Sequence, residues 1–173
     1  KENPQVEEIF ALPGNGGIAA DAICVSEIGA TNIPAIVEFA RTHAIDFAVV
    51  APDDPLALGC VDRLHEAGIP CFGPDAKAAR IEASKAFSKN LMKKYGIPTA
   101  AYEVFDALDA ALTYLDTAPI PTVIKADGLA LGKGVIIAQT LDEAKAAVVS
   151  MMQDKAFGAS GDHIVIEEFL TAS

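Results

Sequence analysis

Short β-branched runs alternate with amphipathic stretches in the first part of the chain. Val6–Ala11 reads as a strand running into the turn Pro13-Gly14-Asn15. Ile33, Ile36, Val37 and Ala40 fall on one face of a helix spanning Ile33–His43. Phe47–Ala51 is a short apolar strand of the kind buried on both faces of a parallel sheet. Pro55–Glu66 reads as a second helix, stopped by Gly68. Pro70–Phe72 is a further strand, ending at Gly73-Pro74. Strand–helix alternation of this kind predicts α/β architecture with a doubly wound parallel sheet.

After Gly73 the pattern changes. Asp75–Arg80 predicts a short helix, and Ser84 is placed to N-cap another over Lys85–Tyr95, closed by Gly96 and Pro98. Tyr102–Phe105, Pro121–Ala126, Val135–Ala138 and Ile164–Leu170 read as strands, and Asp106–Leu115 as a helix. Thr140-Leu141-Asp142-Glu143 has the form of a capping box and opens a helix reaching about Met152. Strand–loop–strand order around Lys125–Ile137 predicts a mostly antiparallel sheet here. The domain boundary is placed at residues 81–84, giving domains 1–81 and 82–173. A doubly wound domain ordinarily opens with a strand and a glycine-rich turn. The polar start Lys1–Pro4 offers neither, and the other end stops directly after a strand, so both ends are expected to be cut and the first strand to be missing.

Composition narrows the class. Hydrophobic residues make up 51% and charged residues 21% of the 173, which predicts a packed core. The formal net charge of −11 disfavours a nucleic-acid partner, whose phosphates need Lys and Arg, although a local basic pocket can still hold a nucleotide. Cys24, Cys60 and Cys71 are odd in number and show no C-x-x-C spacing, so neither disulfides nor structural zinc are expected, and a cytoplasmic setting is. No apolar run approaches the length of a membrane helix.

The segment Val123–Ile137 holds Gly128, Gly132 and Gly134 with Lys125 and Lys133 between two strands. Glycines let a backbone approach phosphate closely with its N–H groups turned inward, and lysines supply compact positive charge. The spacing is not that of a Walker A loop, and a strand follows instead of a helix. Flaps joining two strands also cover nucleotides in kinases, but the His-Arg-Asp and Asp-Phe-Gly signatures are absent. The alternative is a flexible hairpin. Lys125 stands in an apolar strand, where an unpaired charge is costly. An anionic ligand accounts for it, as does a lysine snorkelling from the strand end.

Ser84-Lys85-Ala86-Phe87, Ile97-Pro98-Thr99-Ala100, Lys125–Ala130, Gly132-Lys133-Gly134-Val135 and Glu167-Glu168-Phe169-Leu170 occur in that order. Together with Pro13-Gly14-Asn15, Pro52-Asp53-Asp54-Pro55-Leu56 and Phe72-Gly73-Pro74, they resemble the glycinamide ribonucleotide synthetase (phosphoribosylamine–glycine ligase) family, over essentially the whole chain. That resemblance implies a Rossmann-like N-terminal domain followed by the start of an ATP-grasp domain. It implies ATP-dependent joining of phosphoribosylamine and glycine through glycyl phosphate in purine biosynthesis, with no nucleic-acid or membrane partner. It implies that Lys85 and Lys125 contact the phosphates or the adenine edge. Asp127, Gly128, Leu129, Ala130, Gly132, Lys133 and Gly134 would form the flap, and Glu167, Glu168, Phe169 and Leu170 would line the adenine and ribose. Gly14, Asn15, Pro52, Asp53 and Leu56 would line the phosphoribosylamine site. The family's Gly-Pro-Glu is Ala51-Pro52-Asp53 here, which shortens one carboxylate. Asp53 and Asp54 could instead N-cap the helix at Pro55. The ligands for Mg2+ or Mn2+ are expected beyond Ser173, so no catalytic or metal residue is assigned. Other readings are a different ATP-grasp ligase or carboxylase, or a non-catalytic nucleotide-binding fragment.

Overall fold

The computed structural model describes residues 3–129 and 134–171. It divides into two compact units, Lys1–Ala79 and Arg80–Ser173. Among the described residues no helix is long and apolar enough to cross a membrane.

The first unit holds two parallel strand pairs. Strand β1 (Phe10–Ala11) pairs with β2 (Ile23–Cys24), a strand too short to announce itself in the sequence. Helix α1 (Ile33–Thr42) follows, with the Asn32 side chain accepting the Ala35 N–H at 3.3 Å as its N-cap. Strand β3 (Ala48–Val49) pairs in parallel with β4 (Cys71–Phe72). Between them the helix expected over Pro55–Glu66 is two helices, α2 (Asp53–Ala57) and α3 (Cys60–Glu66). The break falls at Gly59, whose φ of +79° cannot continue a right-handed helix. Helix α2 starts ahead of Pro55 because a proline in the first turn lacks an N–H that has no intrahelical partner anyway. Asp53 and Asp54 therefore lie in that first turn, near the positive end of the helix, and do not cap it with their side chains.

The core of this unit gathers Ile33, Ala40, Val50, Leu56, Cys60, Val61, Leu64 and Ile69. The expectation that Phe47–Ala51 is buried on both faces needs correction: Phe47 and Val49 are 58% and 66% exposed, as is Phe72 at 70%. Val49 and Phe72 are register partners, so one face of this strand pair is apolar and uncovered among the described residues. Gly73 is enclosed on its other flank. It has φ +147°, and an added Cβ would lie 2.8 Å from the Val50 carbonyl oxygen and 3.1 Å from Leu56 Cδ2.

Helix α4 (Ala76–Ala83) contains the division between the units. The second unit continues with α5 (Lys85–Tyr95), β5 (Tyr102–Phe105), α6 (Leu108–Leu115), β6 (Thr122–Ala126), β7 (Val135–Ala138), α7 (Leu141–Met152) and β8 (Ile164–Glu168). Its sheet has the order β5-β8-β6-β7 and every pairing is antiparallel. The capping box at α7 is present in modified form. Thr140 accepts the Glu143 N–H at 3.2 Å, while Glu143 reaches one residue further back, to the Gln139 N–H at 2.7 Å.

Strand alternation gives this sheet two different faces. Ile124 and Ala126 of β6, Ala138 of β7, and Ile164 and Ile166 of β8 are buried against α6 and α7 through Ala111, Leu115, Ala144, Val148 and Met151. Val123 and Lys125 of β6, and Val165 and Glu167 of β8, take the intervening positions and so point to the other face.

Replacing Gly73 with Ala tests the close approach in the first unit. The side chain meets backbone at 2.8 Å and must hold a left-handed φ, so a loss of about 1–3 kcal/mol is expected. Urea unfolding with the midpoint compared to wild type measures it.

Candidate functional site

The polar face of the second sheet is organised by one carboxylate. Glu167 Oε2 lies 2.9 Å from Lys125 Nζ, on the neighbouring strand, and 3.2 Å from Lys89 Nζ, on α5. The Glu167 side chain is only 6% exposed, and its other oxygen, Oε1, is buried without a hydrogen-bond partner among the described residues. A buried, unpaired carboxylate oxygen is costly, so this atom is poised to accept a bond from an incoming donor. Lys125 is thus a paired strand lysine. Its partner is 42 residues away, across a β-ladder that hydropathy alone cannot register.

A second group lies where β6 leaves the sheet. Asp127 accepts the Ala86 N–H at 3.1 Å through Oδ1 and the Ser84 hydroxyl at 3.0 Å through Oδ2. Ser84 in turn accepts the Phe87 N–H at 3.1 Å, so the start of α5 is capped twice, once by its own N-cap and once by the loop root. Lys85 donates to the Gly128 carbonyl at 2.7 Å. Burial pushes the Lys85 ammonium below its ordinary pKa; Asp127 opposes that shift and Lys125 adds to it. The strand ends are tied as well, with Asp127 N–H on the His163 carbonyl and Ala126 N–H on the Gly134 carbonyl, each at 2.8 Å. Gly128 has φ +88°, with Ser160 Oγ 3.1 Å from where a Cβ would sit.

Lys85, Lys89 and Lys125 gather near Glu167 and Asp127, with Glu82 also acting on Lys85, in a chain whose overall charge is strongly negative. A shallow depression of ≈ 300 Å³ beside the loop root is lined, among the described residues, by Asp127, Gly128, Ala159, Ser160 and His163. Among the described residues no group of acidic, His or Cys side chains is arranged to hold a metal ion. Burial pushes the thiols of Cys60 and Cys71 up, which keeps them protonated and poor nucleophiles.

Comparison with known families fits this geometry. Residues 1–82 match the family model described as phosphoribosylglycinamide synthetase, N domain, and residues 83–173 match phosphoribosylglycinamide synthetase, ATP-grasp (A) domain. The chain belongs to the phosphoribosylglycinamide synthetase family. It is 51% identical over 171 residues to a phosphoribosylamine–glycine ligase of Allochromatium vinosum, and 50% identical over 170 residues to that of Escherichia coli K12. Each alignment covers 98% of this chain and 40% of the relative, so the chain spans about two fifths of the length of the curated relatives it matches. The crystal structure of the Thermotoga maritima phosphoribosylamine–glycine ligase superposes with a TM-score of 0.74 at 31% identity, covering 98% of this chain and 39% of that one. The biotin carboxylase domain of Hydrogenobacter thermophilus 2-oxoglutarate carboxylase shares the fold, with a TM-score of 0.73 at 20% identity over 94% of this chain and 39% of its own.

The residues singled out in this synthetase-family sequence fall into distinct settings. Lys85, Lys125, Asp127, Gly128 and Glu167 converge around the start of α5 and the polar face of the sheet. Leu129 adjoins them, its carbonyl taking the Ser160 hydroxyl at 3.3 Å, and Gly134 reopens the chain toward β7. Ala130, Gly132 and Lys133 lie outside the described residues. Glu168 prolongs the ladder beyond its backbone: its N–H bonds the Ala101 carbonyl at 2.9 Å, and its Oε1 takes the Ala101 N–H at 2.8 Å. Phe169 and Leu170, expected in the strand, follow its last residue and are exposed.

In the first unit, Gly14 turns at φ +75°, with Cys24 Sγ occupying the space a Cβ would need. Asn15 Oδ1 accepts the Gly17 and Ile18 N–H groups, each at 3.0 Å. Pro52 and Asp53 are exposed at the start of α2, whereas the Leu56 side chain is packed into the core and belongs to the support of that turn. Lys89 was not anticipated. Its signal is the Lys85-x-x-x-Lys89 spacing, which stacks two like charges on one face of a helix that contains no acidic residue of its own.

Substituting Asp127 with Ala removes both of its bonds to the start of α5. A stability loss of about 1–3 kcal/mol is expected from unfolding curves. Asp127→Asn, which retains an acceptor, is expected to lose less.

Proposed function

We propose that the protein carrying this chain is an ATP-dependent ligase that joins phosphoribosylamine and glycine to give glycinamide ribonucleotide, ADP and phosphate in purine biosynthesis. The observation that carries the reading is the convergence of Lys85, Lys125 and Glu167 beside a glycine-containing loop, in a chain of this family. The glycine carboxylate is a poor electrophile until one oxygen becomes a good leaving group. ATP supplies that activation by transferring its terminal phosphoryl group to the carboxylate oxygen. The amine nitrogen of phosphoribosylamine then attacks the carbonyl carbon, the carbon–oxygen bond to phosphate breaks, and the nitrogen gives up a proton.

The roles of the residues follow from where they stand. Lys125, with its side chain 26% exposed, and Lys85, held at the start of α5, present charge to the phosphates. Gly128, Leu129 and Gly134 border the loop that would cover them, and Asp127 roots that loop on the start of α5. Glu167 offers its unpartnered oxygen to a donor on the base, while Glu168, Phe169 and Leu170 follow the edge of the adenosine. Gly14, Asn15, Pro52 and Asp53 bind phosphoribosylamine, with Leu56 supporting them from the core. Magnesium or manganese accompanies the nucleotide, and no residue of this chain is assigned to hold it. The protein acts in the cytoplasm, in keeping with three free cysteines.

The test is release of ADP and phosphate by the whole protein, dependent on both phosphoribosylamine and glycine. Turnover with either co-substrate omitted would sink the assignment. Within it, Lys125→Met is expected to weaken ADP binding by about 1.5–3 kcal/mol in calorimetry. The fold should persist, because Glu167 keeps Lys89 as a partner.

A pH effect follows from Lys85. Its ammonium is already pushed down by burial in the free protein, and a bound phosphate favours the charged form, raising the pKa again. Between the lowered value and the ordinary 10.5, ADP binding should therefore take up a proton and weaken as pH rises. Calorimetry in buffers of different ionisation enthalpy reads the uptake. Proton release, or no exchange in alkaline solution, contradicts it.

A further inference from the structure

We propose that Lys89 is a positioning residue that offsets the Glu167 charge, leaving the charge of Lys125 available to an anionic ligand. The proposal rests on the nucleotide-phosphate reading of this face of the sheet.

Lys89 cannot serve a ligand itself. Its side chain is 10% exposed and its ammonium has three acceptors around it: Thr99 Oγ1 at 2.7 Å, the Ala100 carbonyl at 3.3 Å and Glu167 Oε2 at 3.2 Å. Two of its donors are taken by Thr99 and Ala100, and its charge is paired with the Glu167 carboxylate. Lys125 reaches the same carboxylate oxygen at 2.9 Å but is 26% exposed, and Glu167 is its one hydrogen-bond partner among the described residues. Two lysines sharing one carboxylate leave a surplus of one positive charge, and the surplus is expressed at the lysine that can be reached. Without Lys89, Glu167 and Lys125 would close into a neutral pair, and Lys125 would have to break that pair to meet a phosphate.

The competing explanation is that Lys89 only fastens α5 to the segment before β5. Charge and fastening make different demands. A neutral isostere removes both, arginine keeps the charge while altering the fit, and a neutral Lys89 combined with a neutral Glu167 restores the surplus at Lys125 while leaving the fastening broken.

The experiment titrates pyrophosphate and ADP calorimetrically into the whole protein as wild type, Lys89→Met, Lys89→Arg and Lys89→Met/Glu167→Gln, at low and high salt, with melting temperatures alongside. Pyrophosphate has no base, so it reports charge without the contacts of Glu167 to adenosine. Lys89→Met should weaken pyrophosphate about tenfold at low salt and flatten its salt dependence. Lys89→Arg should stay near wild type, and the double variant should regain pyrophosphate affinity. Equal affinity of Lys89→Met and wild type overturns the proposal while leaving the nucleotide reading intact. So does parallel weakening of the Met and Arg variants without recovery in the double variant, which would mark Lys89 as structural. If Lys89→Met does not fold, the double variant decides alone: binding like wild type supports the proposal, and no binding ends it. Wild type that binds neither probe ends the nucleotide reading itself and the proposal with it.

Discussion

A carboxylate taken out of water must be matched by cations, and Glu167 is matched by two from different elements, Lys125 on β6 and Lys89 on α5. That requirement accounts for much of the second unit. It needs β8 beside β6, which the antiparallel register supplies by setting Val123 against Glu167 and Lys125 against Val165. It needs α5 against the polar face of the sheet, and the Ser84 and Asp127 bonds fix where that helix begins. It also needs the apolar burden carried elsewhere, which α6 and α7 do on the opposite face.

The first unit meets a different constraint. Its strand pairs are two residues long, and its core is built mainly by α1, α2 and α3 around Val50, Leu56, Val61 and Leu64. The turn after β4 passes so close to Val50 that only glycine fits at position 73. The Pro52–Asp53 turn is anchored from beneath by Leu56, so a polar surface turn takes its position from an apolar residue in the helix that follows.

Local signals were the legible ones. Ser84 and Gly96 bracket α5, Thr140 opens α7, and β5 and β7 fall where alternation and flanking turns put them. Each depends on residues within a few positions of one another. Strand length in the first unit was overestimated because hydropathy marks what can pair, while pairing needs a neighbour. The break at Gly59 was missed because a glycine inside a helical pattern is compatible with either continuation or a left-handed turn. Within the candidate site, the glycines and Lys125 stood out by composition. The ion pair to Glu167 and the fixing of the Asp127 carboxylate span more than forty residues, and no local pattern carries them.

The two-faced character of the sheet also bears on how the chain finds its register. Side chains alternate strictly along β8, so a slip of one residue would drive Glu167 in among Met151 and Leu115 and turn Ile166 toward the lysines. Such a mispairing would bury a bare carboxylate in hydrocarbon and strand two ammonium groups at once. Errors of that kind are rejected by charge as well as by hydrophobicity, so the ion pairs on the polar face also proofread the assembly of the sheet beneath them.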